Sequence, residues 1–81
     1  MTIPEQVWKE RARTVLKDEL RRRGVSYKEL ARLLMELGLK RQTDLSIANK
    51  LARGGFSAVF LIQCLTAIGC RQIKLRFDDD D

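Results

Sequence analysis

Apolar positions recur every three or four residues in four separate stretches, and a turn signal closes each stretch. Trp8, Ala12, Val15, Leu16 and Leu20 form one stripe of helical period that stops at Gly24. Thr2-Ile3-Pro4-Glu5 has capping-box spacing with proline near the first turn, so a first helix is expected to open there. Ser26-Tyr27-Lys28-Glu29 is a second capping box. The helix after it turns Tyr27, Leu30, Ala31, Leu34 and Leu37 inward, Leu33 broadens that face, and Gly38 falls just past the end.

Thr43 or Asp44 is a good cap for a third helix over about 44–53, expected to bury Leu45, Ala48, Leu51 and Ala52. Ser57 caps a fourth, apolar almost all round, which is expected to pack Val59, Phe60, Leu61, Ile62, Cys64, Leu65 and Ile68 and to stop at Gly69. The period then changes. Arg71–Phe77 alternates polar and apolar, the mark of a half-buried strand.

The fold these elements predict is mainly α: four helices in a single domain over 1–70, a C-terminal β-strand over 71–77, and an acidic disordered tail over 78–81. A lone strand cannot satisfy its own backbone donors and acceptors. Pairing with the same strand of a second copy would form a homodimer with Ile73, Leu75 and Phe77 on one buried face. The alternative is a tail that is disordered or packed within its own chain.

Charge adds direction to this outline. The 81 residues carry a formal net charge of +5, but four of the eleven acids are Asp78–Asp81, so residues 1–77 hold +9. A body this basic attracts a polyanion. No apolar run reaches membrane-spanning length, and the first residues have no basic and apolar leader pattern, so a cytoplasmic, nucleoid-associated location is expected. Cys64 and Cys70 lie on or beside an apolar helix and read as reduced thiols.

The chain has no histidine and no Cys-x-x-Cys pair, so a zinc site would lack ligands and histidine-based catalysis is excluded. Neither an acid pair nor a nucleophile–base pair stands out, and Gly54-Gly55 follows a helix rather than a strand. No enzyme activity, cofactor or metal is expected.

The third helix and its approach carry the residue types that read base edges. Asn and Gln match adenine, and Arg and Lys match guanine, in the major groove. Gln42, Thr43, Ser46, Asn49, Lys50 and Arg53 supply that set, although an ordinary solvated helix face has much the same composition. Arg41, in the linker, is a further candidate for phosphate contact. Arg22, within Arg21–Arg23, is either another phosphate contact or compensation of the helix dipole.

Three segments resemble the helix-turn-helix domains of the phage Cro and C1 repressor (XRE-like) type: Ser26-Tyr27-Lys28-Glu29-Leu30-Ala31, Ala48-Asn49-Lys50-Leu51-Ala52-Arg53-Gly54, and Phe56 to Gly69. The likeness covers about residues 7–70. The run from Ala52 to Gly69 also resembles a family of small, functionally uncharacterised bacterial proteins of this fold. The resemblance implies a lambda-repressor-like fold, base contacts from Thr43, Ser46, Asn49 and Lys50, and phosphate contacts from Tyr27, Lys28 and Arg53.

The chain departs from that pattern between Leu30-Ala31 and Gly54, where it is longer by about two helical turns. The extra residues, Leu33–Leu39, are expected to lengthen the second helix and to replace the standard tight turn after it. The expected function is that of a bacterial or phage transcriptional regulator binding double-stranded DNA as a homodimer. The alternative is a protein-interaction module, an antitoxin or adaptor, presenting Met35 and Leu39 to a protein partner.

Overall fold

A computed structural model describes residues 2–75 and residue 77. Four helices follow in order: α1 (Glu5–Arg23), α2 (Tyr27–Glu36), α3 (Asp44–Arg53) and α4 (Ala58–Ala67). Side-chain oxygens open three of them. Ser26 Oγ accepts the Glu29 amide at 3.1 Å, Thr43 Oγ1 accepts the Ser46 amide at 3.1 Å, and Ser57 Oγ accepts the Phe60 amide at 3.0 Å. α1 differs, because Pro4 itself occupies the cap position and no side chain bonds there. Thr2 therefore lies two residues outside the register its spacing suggested.

Each helix gives one i,i+4 pair to the core: Leu16 with Leu20, Leu30 with Leu34, Ile47 with Leu51, and Phe60 with Cys64. Those eight are the buried apolar residues among the described ones. The expected apolar stripes are wider than this core. Leu45 is 67% exposed, Val59 64% and Ile62 62%; Trp8, Leu37 and Ala52 are also exposed, while Ile47 takes the central place in α3. Residues two apart lie about 200° apart around a helix, so burying Ile47 turns Leu45 outward.

α1 also reaches the carboxyl ends of the last two helices. Arg13 donates to the Ala52 carbonyl at 2.8 Å and Arg23 to the Ile68 carbonyl at 3.4 Å. A guanidinium at a helix C-terminus satisfies an orphan carbonyl and suits the dipole. At the end of α3, Gly54 adopts φ +71°, and a Cβ there would lie 2.5 Å from the Lys9 carbonyl oxygen. Only glycine allows α1 and the α3–α4 turn to approach this closely.

α2 ends at Glu36 with Leu37 at its cap and Gly38 just beyond, as the apolar stripe and the glycine led one to expect. A seven-residue link rather than a tight turn leads on to α3, so the extra residues 33–39 are shared between the last turn of α2 and that link. Leu39 folds back from that link onto the core, with its amide on the Leu34 carbonyl at 2.9 Å, whereas Met35 faces solvent. One expectation is corrected here. The C-terminal β-strand is absent: the described residues contain no strand, and so none that 71–77 could pair with. The segment instead lies along α1. Ile73 and Phe77 are half-buried, and Ile73 lines a crevice with Thr14 and Val15. Arg11 holds its guanidinium 4.8 Å from the Trp8 ring and 4.7 Å from the Phe77 ring. Leu75 stays exposed. Arg76 and the Asp78–Asp81 tail lie outside the described residues.

Candidate nucleic-acid interface

The buried pair Ile47 and Leu51 fixes which way α3 faces. Directly opposite it stands Asn49, exposed, with Leu45 and Ala52 on one flank and Ser46, Lys50 and Arg53 on the other. The amino end of the helix is tied down by its own polar side chains. Ser46 Oγ accepts the Thr43 amide at 2.9 Å and lies 3.1 Å from Gln42 Oε1, completing a reciprocal capping box. Gln42, Thr43 and Ser46 thus form one bonded cluster at the helix entrance, and their geometry is held before any ligand arrives.

At the other end, Lys50 lies against an aromatic face, its Nζ 4.6 Å from the Phe60 ring centroid. Lys50 and Arg53 reach, together with Lys9 of α1, into a cleft of about 380 Å³ beside α4. No carboxylate pairs with these three cations among the described residues. Burial pushes the Cys64 thiol up to about 12, against the opposing effect of the Lys50 charge.

The remaining expected contacts are dispersed. Tyr27 is half-buried against the core at the start of α2, with exposed Lys28 next to it. Arg41 is exposed in the link before α3, beside Lys40. Arg22 is drawn to the buried carboxylate of Glu19 at 3.5 Å and borders the crevices that hold Ile73 and Lys74. On α2, Arg32 pairs with both Glu29 and Glu36. Its hydrogen bonds hold the Glu29 carboxyl below the usual range and raise its own guanidinium further.

Sequence reasoning missed three residues of consequence. Leu45 is exposed although a leucine in an amphipathic helix normally belongs to the core. Lys9 lies 44 residues before Arg53 and only the α1–α3 contact brings them together. Glu19, 6% exposed, carries no local sign of burial; its partners are Arg22 at 3.5 Å, Arg23 at 3.5 Å and the Cys70 thiol at 3.5 Å.

No curated protein and no solved structure matches the chain. One family does, over residues 8–73, a span that begins within the first turn of α1 and takes in the other three helices, the Lys9–Lys50–Arg53 cleft and the start of the C-terminal segment. The chain belongs to the family described as Domain of unknown function (DUF6471).

Proposed function

We propose that the chain is a transcriptional regulator that binds double-stranded DNA with α3 in the major groove, in the manner of a lambda-repressor-like helix-turn-helix domain. The observation that carries this reading is the outward face of α3. Asn49 stands at its centre, Lys50 and Arg53 have no carboxylate partner among the described residues, and the Gln42–Thr43–Ser46 cluster is already ordered at its start. Asn49 and Lys50 then contact base edges with that cluster, and Arg53, Lys28, Tyr27 and Arg41 contact phosphates. Exposed Leu45 adds an apolar group suited to a thymine methyl. Arg22 has the weakest claim, since Glu19 already engages it.

Homodimerisation remains part of the proposal, because two-fold sites require two recognition helices about one turn of DNA apart. Pairing through Ile73, Leu75 and Phe77 would require Ile73 and Phe77 to leave α1. Sedimentation with and without duplex tests this: a complex of one chain per site at every concentration overturns the dimer. The adaptor reading draws on a different surface, the exposed Val59 and Ile62 of α4.

Duplex selection from random or genomic fragments separates the two readings. The expected result is an enriched sequence bound with an affinity that falls steeply as salt rises. Asn49→Ala should then cost about 1–3 kcal/mol on the enriched site and little on random duplex. No enrichment together with flat salt dependence overturns the DNA reading.

A further inference from the structure

We propose that the cleft between α1, the end of α3 and the start of α4 binds a small phosphate monoester carried on a planar ring, of the chemistry of a mononucleotide. Three cations from two helices converge there: Lys9, Lys50 and Arg53. None has an acidic partner among the described residues, and the residues lining the cleft include no carboxylate. A single carboxylate would leave two of the cations uncompensated. A phosphate monoester, at about −1.5 to −2, comes closer to a match.

The other wall is aromatic. Phe56 and Phe60 meet edge to face with centroids 5.7 Å apart, and Phe56, half-buried against the core, lines the cleft with the part of its ring that a second ring could meet. Lys50 is held over Phe60, so one cation is fixed where apolar wall and charge meet. Gly55 lines the cleft next to the Lys9 stem, whose Cε lies 3.6 Å from where a Cβ on Gly55 would sit. At about 380 Å³ the space falls at the small end of ordinary ligand sites.

Binding in the cleft does not depend on the DNA reading. One consequence does: Lys50 and Arg53 also belong to the proposed DNA face, so an occupied cleft would compete with duplex.

Calorimetric titration of the full chain with adenosine monophosphate, adenosine and inorganic phosphate tests the site. The monophosphate should bind saturably at one site, and the nucleoside and inorganic phosphate each at least about tenfold more weakly, since each lacks half of the match. Lys9→Gln should weaken the monophosphate at least about tenfold, and Lys40→Gln, outside the cleft, should leave it unchanged. Arg53→Gln gives the same comparison if Lys9→Gln lowers the thermal midpoint.

A monophosphate that binds no tighter than inorganic phosphate, or that is weakened equally by Lys9→Gln and Lys40→Gln, overturns the proposal. Duplex binding measured alongside keeps the two readings apart. Monophosphate binding without duplex binding supports the cleft and removes the DNA reading, and the reverse result removes the cleft alone.

Discussion

α3 and α4 are both ten residues long, both opened by a hydroxyl cap, and each seals one i,i+4 pair into the core. They differ in what they show to solvent. Ala58–Ala67 contains no charged residue, so its outer face offers Val59 and Ile62, while α3 offers Asn49, Lys50 and Arg53 around Leu45. Apolar content therefore says little about how deeply either helix is buried. Position relative to the central pair decides burial, and the rest of each helix is free to serve another purpose.

Truncation of the central pairs should give the largest effects. Leu51→Ala and Leu30→Ala each remove a fully buried side chain and should cost about 2–5 kcal/mol in chemical denaturation. A cost below about 1 kcal/mol for both would mean that the core is not organised around these pairs. Next comes the junction between α1 and the α3–α4 turn. Gly54→Ala combines a left-handed backbone with a close approach to the Lys9 carbonyl, so a loss of about 1–3 kcal/mol is expected. Gly24→Ala has the same sign of φ but nothing within 4 Å of the added carbon, and should cost less. Equal losses would show that the α1–α3 approach is not tight.

A smaller effect is expected from alkali. The Cys64 thiol is raised from 9.0 to about 12 in the fold, so the folded chain keeps its proton while the unfolded chain loses it. Its contribution is fully present below 9.0 and fades as pH climbs toward about 12. Denaturation midpoints on either side of 9.0 should fall on the alkaline side, and Cys64→Ala should flatten that slope. Alkylating reagent should modify Cys70 well before Cys64, which lies fully buried. The smallest effects belong to the outer faces: Leu45→Ala and Val59→Ala should each stay within about 0.5 kcal/mol. A larger loss at Val59 would reveal that α4 packs against something in solution.

The helices were legible from the sequence because their limits are set locally. Ser26, Thr43 and Ser57 bond amides three residues on, and Gly24, Gly38, Gly54 and Gly69 take positive φ just past the ends. Which apolar side faces the core was less legible: Leu45 and Ile47 are chemically similar, and only docking against α1 and α2 chooses between them. The C-terminal segment misled for a related reason. Alternation announces a surface with one apolar side, and α1 half-buries Ile73 and Phe77 where a second strand was expected to cover them. Within the candidate interface, Asn49, Lys50 and the capping cluster are legible as a local pattern. Lys9 is not, since nothing short of the folded chain brings it to Arg53.

The Trp8–Arg11–Phe77 stack carries an experimental consequence. Trp8 is the chain's single indole, and it sits half in water, coupled through one guanidinium to the C-terminal segment instead of to the Leu-rich centre. Intrinsic fluorescence will thus report release of that segment from α1 at least as strongly as loss of the bundle. Unfolding curves taken from emission should run ahead of those taken from far-ultraviolet circular dichroism. The gap between the two would measure how tightly the C-terminal segment is held against α1.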